Sequence, residues 1–209
     1  MSHVVLLGDS IFDNASYVPG GAPVVDQVLG GLQPNWKATL LAVDGHTVED
    51  IASQLARMPS DASHLVMSIG GNDALLASGL LHERAGTVGA AQALIAKTAN
   101  AFREMYTAML NKVLALGKPT AICTVYDAIP ILGDAERAAL AVFNDAITRT
   151  AARSGLPLLD LRVICTNADD FSALSPIEPS VIGGAKIAAA ICRMLATHEF
   201  AKRGCAIYA

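Results

Sequence analysis

Short apolar runs alternate with amphipathic segments along the whole chain, and this alternation limits the available folds more than any other feature. Five runs are short, mostly apolar and bounded by turn residues, at positions 4–7, 38–43, 65–69, 120–125 and 156–159. Runs of this kind are typical of strands buried on both faces of a parallel sheet. Because helical patterns separate them, the sequence predicts a three-layer α/β/α fold with helices on both faces.

The clearest helical pattern lies between Phe102 and Val113, where apolar residues recur at i, i+3, i+4 and i+7. We expect this helix to stop at Gly117, which Pro119 follows. Other helices are predicted at 47–55, at about 134–153, and after Pro179 through Met194 with Ser180 as the N-cap. The stretch 14–33 is rich in Gly and Pro and predicts a loop over the exit of the first strand.

Composition excludes several classes of protein. The formal net charge of −4 argues against nucleic-acid binding, which leaves a basic footprint. No apolar stretch approaches the roughly 20 residues that span a bilayer. The start of the chain has neither a basic n-region nor a cleavage site, so we expect a cytoplasmic location. Without repeats, linkers or shifts in composition, residues 1–209 are predicted to form a single domain.

The four cysteines lack C-x-x-C pairing and have no histidine at ligand spacing, so they do not predict a zinc site. We interpret them as buried free thiols; they are Cys123, Cys165, Cys192 and Cys205.

Three polar motifs each follow a predicted strand. They are Gly8-Asp9-Ser10, the segment 44–47 that includes Gly45, and the segment 70–73 that reads Gly-Gly-Asn-Asp. In open α/β sheets, ligands bind outside the carboxyl ends of the strands, so these motifs predict one shared site.

Together the motifs resemble those of the SGNH, or GDSL-type, hydrolases, from residue 4 to the helix after Gly183. The resemblance implies a flavodoxin-like sheet of five parallel strands in the order 2-1-3-4-5. It also implies hydrolysis of a small-molecule carboxylic (acyl) ester through an acyl-enzyme. No metal or organic cofactor is implied.

By the same resemblance, Ser10 is the nucleophile, and its oxyanion hole consists of the N–H groups of Ser10 and Gly45 and the side-chain amide of Asn72. Acyl transfer builds negative charge on a carbonyl oxygen, which fixed neutral donors stabilise. We expect Asp9 to accept hydrogen bonds that shape the serine turn and Asp73 to cap the following helix.

The fourth motif departs from the family. The usual pattern is Asp-x-x-His-Pro, where the aspartate orients a histidine that deprotonates serine. Pro179 fixes the register, so Ser175 stands at the aspartate position and Glu178 at the histidine position. Asp169 and Asp170 lie upstream but do not restore the spacing.

Three interpretations of Glu178 remain open at the level of sequence. Its carboxylate serves as the base for Ser10, provided that burial raises its pKa. Alternatively, Glu178 is a polar placeholder in a fold that binds an acyl or sugar ligand without turnover. In the third, a histidine from elsewhere serves, and His46 is the candidate because it adjoins Gly45. We favour the first, although a helix N-terminus nearby opposes it by stabilising the charged form.

The last ten residues, 200–209, are apolar enough to dock on the domain or on a second subunit. The sequence does not decide between the two, and it leaves the oligomeric state open.

Overall fold

The computed structural model describes residues 2–202 and 204–209, which form a parallel sheet with helices on both faces. The strands are β1 (Ser2–Gly8), β2 (Trp36–Leu40), β3 (His64–Ser68), β4 (Thr120–Cys123), β5 (Leu158–Leu159) and β6 (Ile207–Tyr208). Their order is β2-β1-β3-β4-β5-β6, and every neighbouring pair is parallel. The predicted order of the first five strands is therefore confirmed, and these residues add a sixth strand.

The sixth strand comes from the chain's last residues. Ile207 pairs with Leu158 at the edge of the sheet, and the Tyr208 hydroxyl lies 3.1 Å from Nδ1 of His198. The tail therefore docks on the domain of its own chain, which was one of the two alternatives that the sequence left open. Arg203, within the tail, lies outside the described residues.

The helices are α1 (Val24–Gly31), α2 (Ile51–Leu55), α3 (Gly71–Ala77), α4 (Val88–Leu114), α5 (Asp134–Ser154), α6 (Leu161–Ile164) and α7 (Val181–Thr197). The predicted helices correspond to α2, with a 3-10 turn before it, and to α4, α5 and α7. Ser180 caps α7 as expected, because its side chain accepts the N–H groups of Ile182 and Gly183.

The prediction of a loop across 14–33 is wrong for α1. The segment forms a two-turn helix, and the Gly and Pro residues at both ends of it led to the prediction of a loop. Val24 and Val28 lie one turn apart on this helix and are fully buried. The Val24 N–H donates to the Asn14 side chain at 2.9 Å, a partner that local sequence does not reveal.

The core lies in two layers, one on each face of the sheet. Along β1, Val4 and Leu6 pack with α1 and α7, whereas Val5 and Leu7 pack with α4 and α5. Alternate residues of a strand face opposite sides, so a continuous apolar run serves both layers. The motifs at the strand ends are thus held on a rigid sheet.

Cys123 and Cys165 are buried and Cys192 is half-buried, but Cys205 is exposed, so the prediction of four buried thiols is wrong for Cys205. Within the described part of the chain, the helices are too short or too polar to cross a membrane.

Candidate active site

The turn after β1 presents Ser10. Gly8 has φ 132°, and a Cβ at this position would lie 1.7 Å from the carbonyl oxygen of Ser68 on β3. Only glycine permits this close approach of the two strands. One carboxyl oxygen of Asp9 then accepts the Ile11 N–H at 3.1 Å. This bond agrees with the expectation that Asp9 shapes the serine turn.

Two backbone donors at this edge of the sheet are left without partners among the described residues. The N–H groups on either side of Ser10 are both hydrogen-bonded, whereas the Ser10 N–H is not. The same holds at Gly45, which has φ 82°: the N–H groups before and after it are bonded and its own is free. Both donors are therefore available to an incoming oxygen atom.

Asn72 lies in the first turn of α3, just beyond β3 and Gly70, whose φ is 123°. Its side-chain nitrogen donates to the carbonyl oxygen of His46 at 2.9 Å. This bond uses one of two amide hydrogens, so one donor is left. It also ties α3 to the turn that contains Gly45.

Glu178 is only 4% exposed, and its backbone is fixed at both ends of the residue. Its N–H donates to the Ser175 carbonyl at 3.0 Å, and its carbonyl accepts the Ser172 N–H at 2.8 Å. The adjoining carbonyl groups are held as well, since Tyr126 donates to that of Ile177 at 2.7 Å and Asn14 to that of Pro179 at 3.1 Å. The carboxyl group is therefore carried on a rigid loop.

The Glu178 carboxyl interacts with the Ser10 side chain, and both residues line one cavity. Burial raises the pKa of Glu178 to about 7, the interaction with Ser10 opposes the rise, and the charge of Asp44 adds to it. Desolvation is thus the largest influence on this carboxyl. A carboxyl with this pKa holds and releases a proton near neutral pH.

An apolar cavity of about 240 Å³ opens beside these groups. Asp9, Ser10, Asn72 and Glu178 line one part of it. The rest is mostly aliphatic and aromatic surface from α3, α4, α5 and the loop before α7, including Leu75, Ile95, Leu140, Phe143 and Ile177. Gly45 lies just outside, in the turn that Asn72 contacts.

Several candidates from the sequence lie elsewhere. The Oδ2 atom of Asp73 accepts the Val48 N–H at 3.2 Å, and Gly70 holds the N-cap of α3, so the predicted capping role of Asp73 is wrong. Nδ1 of His46 lies 2.9 Å from the Gln54 amide nitrogen, and the side chain does not line the cavity. Asp170 pairs with Lys186 at 2.7 Å, also away from the cavity.

Sequence reasoning missed the buried amides that secure the strand ends. Gln54 both donates to and accepts from the backbone of Gly8, at 2.7 and 2.9 Å. Asn144 does the same to Val125, at 2.8 Å in each direction. Asn144 could have been found from the sequence, because it is a polar residue within an apolar helical stripe of α5.

The chain is similar to a known family of proteins. Residues 6–182 match the model of the GDSL-like Lipase/Acylhydrolase family, which confirms the resemblance drawn from the motifs. A search of curated proteins returned no match.

Solved structures share the fold at low sequence identity. An extracellular lipase from Streptomyces rimosus is 20% identical with a TM-score of 0.64, covering 95% of this chain and 100% of its own. A catalytic mutant of the acetylxylan esterase Axe2 from Geobacillus stearothermophilus is 16% identical, with a TM-score of 0.70 and 95% coverage of both chains. The lipase Lip_vut3 from a goat rumen metagenome is 14% identical with a TM-score of 0.72, covering 98% of this chain and 99% of its own.

Proposed function

The chain belongs to the GDSL-like lipase/acylhydrolase family, and from this premise we propose that it hydrolyses carboxylic esters through an acyl-enzyme on Ser10, with Glu178 as the base. One observation carries the proposal: a buried carboxyl, whose pKa is raised to about 7, interacts with Ser10 and lines the same cavity, at the position where the family has histidine. General bases work best when their pKa lies near the working pH.

The reaction requires one proton to move in each half. Glu178 takes the Ser10 proton as Oγ attacks the ester carbonyl, and then gives it to the departing alkoxide as the C–O bond breaks. In the second half, Glu178 takes a proton from water, which attacks the acyl-enzyme, and returns it to Oγ as the acid leaves. Glu178 ends each cycle ionised.

The charge on the carbonyl oxygen needs donors, and three are at hand. The Ser10 and Gly45 N–H groups have no other partner among the described residues, and Asn72 keeps one amide hydrogen. Since Asn72 is anchored through His46, its donor needs no reorganisation during the reaction. We assign these three groups to the oxyanion hole.

The apolar cavity beside Ser10 suits the acyl part of the ester. A cavity of about 150 Å³ lined by Leu, Ile and Phe takes up benzene, so about 240 Å³ suits roughly ten carbon atoms. We therefore expect rates on p-nitrophenyl esters to peak at medium chain lengths between acetyl and dodecanoyl.

Two neighbouring alanines on α5 test this placement. Ala139 lines the cavity and Ala138 is exposed. Ala139→Phe should move the preference to shorter chains, whereas Ala138→Phe should leave it unchanged. An unchanged preference in both variants would place the acyl chain elsewhere.

A second candidate is a protein that binds an acyl ligand without turnover. One observation favours it: the second carboxyl oxygen of Glu178, Oε2, has no hydrogen-bond partner in the described part of the chain. In a serine triad a third group orients the base, and its loss costs several orders of magnitude in rate.

Hydrolysis of p-nitrophenyl esters separates the two candidates. Glu178→Gln should lower kcat by about 10²–10⁴-fold, the usual contribution of a general base, and Ser10→Ala should remove turnover. Glu49→Gln removes a charge from the exposed turn before α2 and serves as the control that keeps its rate. Equal rates in the wild type and Ser10→Ala would instead favour the non-hydrolytic candidate.

A further inference from the structure

A second buried carboxyl group lies beside Ser10, and the mechanism above does not use it. Asp9 is 2% exposed and lines the same cavity as Glu178. Its Oδ1 atom accepts the Ile11 N–H, but Oδ2 has no hydrogen-bond partner among the described residues. Glu178 also has one orphaned oxygen. The serine thus shares its cavity with two carboxyl groups, each with a buried atom that has no partner among the described residues.

In the part of the chain that the structure describes, no salt bridge compensates these two groups. The titratable groups that face Asp9 are acids: Glu178 from the loop before α7, Asp73 from α3, Tyr106 from α4, and Cys123 and Tyr126 at the end of β4. None of the salt bridges among the described residues includes Asp9 or Glu178. Two buried carboxylates without a counter-ion repel each other and are costly to desolvate.

We propose that Asp9 and Glu178 share a single negative charge in the working protein, with Asp9 holding a proton and Glu178 holding the charge. This inference rests on the proposed role of Glu178 as base. Asp9 acts through Glu178 and through the electrostatics at Ser10, and it takes no part in making or breaking bonds.

The assignment of the proton follows from the surroundings of each group. Glu178 interacts with the Ser10 hydroxyl, a side-chain donor that stabilises its charged form, whereas Asp9 has only backbone N–H groups as donors, those of Ile11 and of Asp9 itself. Burial raises the pKa of Asp9 to about 8, and the charges of Glu178 and Asp73 add to that rise. Because Glu178 titrates near pH 7, the form with one charge exists between these two values.

Loss of the Asp9 proton should stop the reaction. A second negative charge beside Ser10 would oppose the negative charge that forms on the ester oxygen in the transition state. The pH profile of kcat should therefore rise with ionisation of Glu178 and fall with ionisation of Asp9.

The test compares pH profiles of kcat between pH 5 and 10 on one p-nitrophenyl ester. Asp9→Asn keeps a neutral side chain of the same shape, so it should retain the rise and lose the alkaline fall. Asp73→Asn, the matched change at a neighbouring acid, should retain both limbs, with the alkaline limb moved to lower pH because the charge of Asp73 contributes to the raised pKa of Asp9. An alkaline fall that persists unchanged in Asp9→Asn would overturn the proposal.

Thermal unfolding tests the shared charge without any turnover. The pKa of Asp9 is raised in the fold, so its unfavourable burial appears above the unfolded value of 3.8 and grows until about pH 8. The wild-type Tm should therefore fall between pH 5 and pH 9, and Asp9→Asn should reduce that fall. A Tm difference between the two proteins that is the same at both pH values would contradict the proposal, whether or not the protein is an esterase.

If Asp9→Asn does not fold, the Glu178→Gln protein gives an independent readout. Its infrared spectrum should show a buried protonated carboxyl at pH 6, above the ordinary pKa of aspartate. At a pH where Asp9 is ionised, this absorption should disappear. If the absorption is already absent at pH 6, the proposal is overturned.

Discussion

The two halves of the site are built in different ways. The half that carries Ser10 consists of turns directly after β1 and β3, where Gly8 and Gly70 have positive φ and the strands are paired in register. The half that carries Glu178 is a loop held by side chains distant in sequence, and its contact with Asn14 spans 165 positions. The nucleophile therefore depends on local backbone geometry, and the base depends on tertiary hydrogen bonds.

Gly8→Ala should cause the largest loss of stability, because it disrupts the half of the site that carries Ser10. The new Cβ would overlap the Ser68 carbonyl in a conformation that L-residues rarely adopt, so we expect a loss of about 4 kcal/mol or more of stability. Chemical denaturation measures it. Gly20→Ala is the control, because Gly20 has φ 77° but open space around its Cβ position, and it should cost about 1 kcal/mol. Similar losses of stability in both variants would mean that the backbone conformation alone accounts for the effect at Gly8, and that the contact with the Ser68 carbonyl does not contribute.

Asn14→Ala should break the loop half. It leaves the Pro179 carbonyl and the Val24 N–H without partners, which costs about 2–3 kcal/mol. With the loop loosened, water should reach Glu178 and lower its pKa from about 7 towards the usual value near 4.5. The acidic limb of the pH–rate profile reports this shift. A stable variant with the limb unmoved would show that Asn14 does not control the base.

Tyr126→Phe is a milder change to the same half. It removes one hydrogen bond to the Ile177 carbonyl and keeps the aromatic contact with Phe171, so stability should fall by only about 1 kcal/mol. A small displacement of the base should still lower kcat by about tenfold. Steady-state kinetics on a p-nitrophenyl ester measures this ratio, and an unchanged kcat would weaken the argument that loop rigidity matters.

His46→Ala should have the smallest effect on the pH profile. The ring contacts Gln54 and does not line the cavity, while the anchor of Asn72 is the backbone carbonyl of His46, which alanine retains. We expect the pH dependence of kcat/KM to stay as in the wild type. Loss of the acidic limb in this variant would make histidine the base.

The difference between the two halves of the site also explains which features could be predicted from the sequence. Runs of apolar residues predicted the five strands, because a buried parallel strand needs apolar residues on both faces, and the resemblance to the family supplied their order. Motifs at strand ends located Ser10 and Asn72, since glycine turns are local features. The sixth strand escaped because a two-residue edge strand such as Ile207–Tyr208 carries no periodicity.

The surroundings of Glu178 could not be predicted in the same way. Its position followed from register against Pro179, but its pKa depends on burial that only the folded chain creates. Gln54 and Asn14 bind backbone groups far along the chain, so no spacing pattern marks them.

In the proposed mechanism, the Glu178 carboxylate deprotonates Ser10. The most direct test is the rate of the acylation burst with a p-nitrophenyl ester as a function of pH, in the wild type and in Glu178→Gln. We expect a wild-type rate that rises through a pKa of about 7 and a Glu178→Gln rate that is low at every pH. A burst in Glu178→Gln that keeps both its size and its rise near pH 7 would contradict this mechanism.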